Sequence, residues 1–328
     1  MTAKPKLAVY WAASCGGCDI ATLAVDEKIL DVAEAFDIVL WPCIMDGKVS
    51  DVEALADGEL AVTLWNGGVR SSEHEHMARL LRRKSRLLVA FGSCAQEGCI
   101  PGLANLHTRD EIFAAVYADG SPTLDNPKGV VPLPEWDAPE GKLHLPVFYD
   151  TLKTLDQTVA VDYTVPGCPP EAERIAEVFQ ALLAGQLPPP GSIVGALPST
   201  VCDTCTRTRA EKRITAFKRT WQVIPDTQAC LLEQGLVCCG VATRAGCGAR
   251  CPTVNSPCIG CYGPPAGTQD QGARLMSALA SVIESDDPAQ IDRIVSEGIP
   301  DPVGTFYRFG LARSLLRRRA RPAAGTGA

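Results

Sequence analysis

Fifteen cysteines are spread through the 328 residues, and several stand at spacings that suit metal ligation. Cys15-Gly16-Gly17-Cys18 follows the apolar run Leu7-Ala8-Val9-Tyr10-Trp11 and precedes an amphipathic stretch. Two glycines let the backbone turn tightly and leave amide N–H groups free to hydrogen-bond to sulfur. Two thiols three positions apart can therefore grip one inorganic cube. Cys94 in Gly92-Ser93-Cys94 and Cys168 in Pro166-Gly167-Cys168-Pro169-Pro170 also follow predicted strands. In an open parallel sheet the carboxyl ends of strands meet at one crevice, which predicts a four-thiolate site from Cys15, Cys18, Cys94 and Cys168.

A second group begins with Cys202-x-x-Cys205 and continues through Cys230, Cys238, Cys239, Cys247 and Cys251 to Cys258-x-x-Cys261. With Cys239 set aside, chain order gives one set of Cys202, Cys205, Cys230 and Cys238 and another of Cys247, Cys251, Cys258 and Cys261. Twelve thiolates in three sets of four suit three 4Fe-4S clusters. Zinc competes for the later eight, because paired C-x-x-C spacings are common in zinc sites. The first set favours clusters, and so do Pro169 after Cys168 and Pro252 after Cys251, since a Cys-Pro step recurs in cluster ligation. Cys43, Cys99 and Cys239 are read as small buried hydrophobes. Cys99 follows Cys94 by five residues and Cys239 adjoins Cys238, so either can stand in for its neighbour; Cys94 is preferred for its place at a strand end.

Other chemistry is weaker. His74 and His76 are two apart on a predicted helix, point to different faces and read as solvated, and His107 reads as a turn residue. Gly67-Gly68 lacks phosphate-loop spacing, and no G-x-G-x-x-G follows a strand. Asp19, directly after Cys18, reads as a helix N-cap in preference to a proton relay.

With 46% hydrophobic and 21% charged residues the chain reads as a folded globular protein, long enough for two domains. A net charge of -7 excludes a nucleic-acid footprint, and the basic stretch Arg313 to Arg321 reads as a solvated tail. An odd cysteine count and the absence of an export-type start after Met1 place the expectation in the reducing cytoplasm, where thiols serve metals rather than disulfides. No stretch approaches the roughly 18 apolar residues of a spanning helix.

The elements that must position these thiols follow from periodicity. Strands are predicted at Leu7 to Ala12, Ile38 to Trp41, Leu60 to Leu64, Leu87 to Phe91 and Val159 to Val165. Helices are predicted at Asp19 to Ala35, Ser72 to Lys84, Arg109 to Ala118, Glu171 to Leu183 and Asp270 to Ile283. Residues 119–158 carry six prolines and read as an insertion with one short strand near Leu145 to Tyr149. Pro188-Pro189-Pro190 marks a boundary: an α/β domain over 1–185, a linker over 186–198 and a smaller, irregular cysteine-rich domain over 199–328.

The sequence resembles the small, electron-transferring subunit of nickel-iron hydrogenases, and most closely the cytoplasmic, methyl-viologen-reducing type that does not use the coenzyme deazaflavin. The likeness covers nearly the whole chain. It rests on Cys15-Gly16-Gly17-Cys18, on Gly92-Ser93-Cys94 with Ile100-Pro101-Gly102-Leu103-Ala104-Asn105-Leu106-His107, on Pro166-Gly167-Cys168-Pro169-Pro170, and on Pro257-Cys258-Ile259-Gly260-Cys261-Tyr262-Gly263-Pro264. Asp270-Gln271-Gly272-Ala273 and Val303-Gly304-Thr305-Phe306-Tyr307 add to it. The resemblance implies a flavodoxin-like domain whose proximal cluster faces a large subunit holding the nickel-iron centre. It also implies two further clusters leading to an iron-sulfur acceptor subunit that feeds a heterodisulfide-reductase-like flavoprotein. Cys202 stands where exported enzymes carry a histidine ligand, and Cys251 gives the medial set a fourth thiolate. The related quinone-reductase subunit shares Gly-Cys-Pro-Pro but has adjacent cysteines at the first site and no cysteine-rich second domain.

Overall fold

The structure, a computed structural model, describes residues 4–118, 125–210 and 213–316. Its strands are β1 (Lys6–Trp11), β2 (Asp37–Leu40), β3 (Leu60–Asn66), β4 (Val69–Ser71), β5 (Ser85–Phe91), β6 (Glu135–Ala138), β7 (Gly141–His144), β8 (Phe148–Lys153) and β9 (Tyr163–Val165). Five of them form one sheet in the order β2-β1-β3-β5-β9, with every neighbouring pair parallel. Ranked along the chain this is the 2-1-3-4-5 winding of flavodoxin-like folds, in which the direction of growth reverses beside the first strand. The sheet is covered on both faces. Leu7, Val9, Val62, Leu64 and Phe91 point to one core, and Ala8, Tyr10, Trp65, Leu88 and Ala90 to the other. This is why the central strands read as continuous apolar runs instead of alternating ones.

The helix Ser72–Lys84 has its predicted bounds. The Ser71 hydroxyl accepts the His74 N–H, carboxylates occupy the first turn, and Arg82, Arg83 and Lys84 lie in the last, all complementing the helix dipole. Other bounds shift. The predicted helix Asp19 to Ala35 is two helices, Gly17–Leu23 and Lys28–Ala35, broken near Asp26, whose φ is +57°. Arg109 to Ala118 is an α-helix over Arg109–Phe113 followed by a π-helical turn over Ala114–Ala118. The strand expected near Leu145 to Tyr149 is β8, which pairs antiparallel with β4, and the insertion also holds the unpredicted hairpin β6–β7. Most of the basic tail, from Arg317 onward, lies outside the described residues.

The cysteine-rich part has short helices at Val201–Thr204 and Arg250–Thr253, then longer ones at Gln271–Ala280 and Pro288–Gly298. Sulfur contributes to its core, where Cys239 and Cys258 are buried with Val201, Leu275 and Leu279. Asp270 ties two segments together, one oxygen accepting the Ala273 N–H and the other the Leu315 N–H, each at 2.8 Å.

This part packs directly on the strand-end side of the α/β part. Cys99 N–H donates to Phe309 C=O at 2.8 Å, Tyr262 O–H donates to Glu171 at 3.2 Å, and Arg250 pairs with Glu173 at 2.7 Å. Glu97 is sealed into the junction at 4% exposure. Burial pushes its carboxyl up to about 7, against the opposing pull of Arg313 and Arg244. Because the folded protein holds this proton more tightly than the unfolded chain, the stability due to Glu97 is complete below about pH 4.5 and is lost as pH rises through about 7. In urea unfolding, wild type should therefore lose roughly 3 kcal/mol more than Glu97→Gln between pH 4.5 and 8. Parallel losses in the two proteins would show that Glu97 does not carry the effect.

Candidate metal centre

The carboxyl ends of β1, β5 and β9 bring together Cys15, Cys18, Cys94 and Cys168, with Cys99 as a fifth thiol. Gly16, at φ +78°, starts the helix Gly17–Leu23 that places Cys18 inward, while Cys15 reaches the surface. Gly17 N–H donates to the Cys15 sulfur at 3.3 Å. Gly92, at φ +84°, must lack a side chain, since a Cβ there would lie 2.3 Å from the Cys18 sulfur. The Cys99 thiol donates to Cys168 Sγ at 3.6 Å, and the Cys168–Pro169 peptide is cis.

Two of these thiols, Cys18 and Cys168, resist ionisation. Burial pushes Cys18 well up, and Cys168, Asp19, Cys15 and Cys99 add to it. The hydrogen bond with Cys99 and the loss of hydration do the same to Cys168. Such a group of sulfurs becomes a thiolate set only with a compensating cation, the behaviour of a metal-binding site.

In the second group, Cys202, Cys205, Cys230 and Cys238 line one small cavity together with Arg207 and Arg209. Burial pushes Cys202 up to about 12, with Cys238, Cys230 and Cys205 contributing and Arg209 opposing. Cys261 is likewise pushed up to about 12, by burial and then by Cys247, Cys251 and Cys168. Cys258 sits between the groups: its N–H donates to Cys238 Sγ at 3.3 Å, and its thiol is raised by burial, Cys238 and Cys239. Spatial order thus differs from chain order. The set containing Cys247 and Cys261 lies next to the first site, and Ser93 O–H, beside Cys94, donates to the Cys261 carbonyl. The set containing Cys202 lies beyond it.

Among the described residues no group of three or more His, Cys, Asp or Glu side chains closes round a single ion. Backbone N–H groups donate to the Cys15 and Cys238 sulfurs, contacts of the kind that tune thiolate-held clusters.

Cys43, Asp19 and His74 depart from their sequence readings, and Cys99 adds a sulfur contact to its own. Cys43 is exposed, standing past the end of β2, and its thiol hydrogen-bonds to Asp19. Cys99 is buried as expected but is also in sulfur contact with the first site, which its spacing from Cys94 hinted at. Asp19 does not cap a helix: Gly16 holds the N-cap, and the Asp19 side chain turns inward to Trp41 and Asn66. His74 is half-buried and accepts the Arg70 N–H at 3.3 Å, whereas His76 and His107 are exposed near Glu53 and Glu111. Glu97 and Ser93 carried no sequence signal beyond lying beside Cys94.

Comparison with known proteins agrees with this geometry. The family described as NADH ubiquinone oxidoreductase, 20 Kd subunit, matches residues 15–182. The chain is 40% identical over 320 residues to the iron-sulfur subunit of the F420-non-reducing hydrogenase of Archaeoglobus profundus, covering 96% of this chain and 98% of that one. It is 37% identical to the corresponding F420-non-reducing hydrogenase subunit of Methanothermobacter marburgensis, covering 96% and 97%. A recombinant [NiFeSe] hydrogenase from Desulfovibrio vulgaris Hildenborough shares the fold, with a TM-score of 0.50 at 16% identity over 80% of this chain and 94% of that one. Matched by the 20 Kd family over the α/β part and by these archaeal hydrogenase subunits over nearly its whole length, the chain belongs to the small-subunit family of nickel-iron hydrogenases, in its F420-non-reducing branch.

Proposed function

We propose that this hydrogenase small subunit conducts electrons through three 4Fe-4S clusters between the nickel-iron centre of a large subunit and an acceptor protein. Cys15, Cys18, Cys94 and Cys168 hold the first; Cys247, Cys251, Cys258 and Cys261 the second in space; Cys202, Cys205, Cys230 and Cys238 the third. Each cluster supplies one-electron storage, and the chain's part is to fix the thiolates, exclude water and aim N–H groups at sulfur. The observation that carries the reading is the continuity of the three thiol sets, with Ser93 and Cys261 linking the first to the second. Exposed Trp11, Ile20 and Ile100 flank the first site, an apolar rim suited to the large subunit.

The α/β domain over 1–185, the linker over 186–198 and the cluster domain over 199–328 are the working division. The acceptor is an iron-sulfur subunit feeding a heterodisulfide-reductase-like flavoprotein, and the complex works in the cytoplasm. Among the described residues no helix is long and apolar enough to cross a membrane.

Iron analysis of the purified complex should give about twelve irons attributable to this chain, with reducible signals in electron paramagnetic resonance. Stoichiometric zinc and no such signal would sink the proposal in favour of a zinc-stabilised scaffold. Cys168→Ser should remove or convert the first cluster and lower hydrogen-dependent dye reduction at least tenfold while the later clusters persist. Full dye reduction by that variant, with all irons retained, would show that Cys168 is not a ligand.

A further inference from the structure

The hairpin β6–β7 has two unlike faces. Its register pairs Glu135 with His144, Trp136 with Leu143 and Asp137 with Lys142, and the Leu145 N–H extends the pairing to the Pro134 carbonyl at 2.9 Å. Side chains alternate along a strand, so Glu135, Asp137, Lys142 and His144 share one face and Pro134, Trp136, Leu143 and Leu145 the other. The polar face supplies its own partners: Lys142 pairs with Glu135 at 2.7 Å, and His144 lies 3.8 Å from the same carboxylate. The apolar face is bare, with Trp136 57% exposed, Leu143 56% and Leu145 54%. A hairpin of two strands is marginally stable in water by itself, and a contiguous apolar face of this kind marks a surface that another molecule covers.

The attachment of the hairpin points to the molecule that covers it. At the start of β8 the Ser72 N–H donates to the Val147 carbonyl at 3.0 Å, and the Val147 N–H donates to the Ser72 hydroxyl at 2.9 Å. β8 then runs back to the first thiol site, where its Leu152 fills the space that a Cβ on Gly68 would need, 2.7 Å away. Gly68 exchanges backbone hydrogen bonds with Ala13, two residues before Cys15, and β8 also packs on the short helix Cys99–Gly102 that carries exposed Ile100. The six residues of β8 span about 20 Å, which puts the bare face and the rim of Trp11, Ile20 and Ile100 within the breadth of one subunit interface. A stable interface takes roughly 20–30 residues from each partner, far more than that rim supplies.

We propose that β6–β7 is an anchoring arm for the hydrogenase large subunit, which presents to Pro134, Trp136, Leu143 and Leu145 an apolar surface continuous with its seat on the first-site rim. The inference rests on reading that rim as the large-subunit side.

The test is sedimentation velocity on the purified complex of small and large subunits over a dilution series. The double variant Trp136→Asp with Leu143→Asp should raise the concentration of half-dissociation about tenfold or more, with the iron content of wild type. Trp136→Phe, which keeps an aromatic ring, and Lys142→Gln, on the polar face, should each stay within about threefold of wild type. Unchanged affinity in the double variant, with a weaker complex in Ile20→Asp, overturns the arm and leaves the rim reading in place. Unchanged affinity in both sinks the rim reading along with the arm. Loss of iron from the double variant, or equal weakening by Lys142→Gln, overturns the proposal and marks the hairpin as a structural support. A double variant that keeps its large subunit but falls from two copies of the complex to one overturns it in favour of a second copy of this chain on that face.

Discussion

Everything in this molecule depends on holding sulfur atoms close together where they cannot readily ionise alone. Water stabilises a lone thiolate; thiolates gathered close together repel one another, and a buried thiol resists losing its proton. The first site shows both effects, with Cys18 and Cys168 pushed well up by burial and by their neighbours. The parallel sheet makes such crowding affordable, because β1, β5 and β9 end at one edge and deliver their turns rigidly to the same place. Gly92 shows how tight the delivery is: the space a Cβ would need is taken by the Cys18 sulfur.

The sheet was legible because its strands are buried on both faces and so leave continuous apolar runs, and Ser72–Lys84 was legible because cap, periodicity and terminal charges all agree. Where local signals conflict, reading failed. The stretch Asp19 to Ala35 keeps a helical composition throughout, yet the chain turns near Asp26 and both halves pack on Ala172–Ala184. Cys43 looks like any small apolar residue after a strand, yet the chain has already left the core there. The first thiol set could be assembled from sequence because strand ends converge by rule. The later sets could only be grouped by order along the chain, since a segment whose core is built partly of sulfur has no period to read.

Spatial order is what chain order hides. The segment from Cys202 to Cys238 comes first in sequence but lies farther from the sheet, while Cys247 to Cys261 folds back against Cys168 and Ser93. Residues 307–316 then cross the same junction, Phe309 accepting from Cys99 and Arg313 bonding to Asp156 at 2.9 Å. The junction thereby combines these polar links with a small apolar cluster of Cys94, Cys99 and Phe309. Glu97 and Arg244 are the residues this arrangement leaves most strained electrostatically, each displaced from its ordinary pKa chiefly by burial.

Charge is distributed unevenly along the line of thiols. Beside the first set stands Asp19, its two side-chain oxygens held by neutral donors. Beside the far set stand guanidinium groups: Arg209 pulls Cys202 down, and Arg308 does the same to Cys239 next to Cys238. The intermediate set is mixed, with Glu171 raising Cys247 and Arg250 lying against Glu171 at 3.7 Å. The guanidinium groups favour added negative charge at the far end. Hydrogen bonds to sulfur and solvent access act on each set alongside these charges.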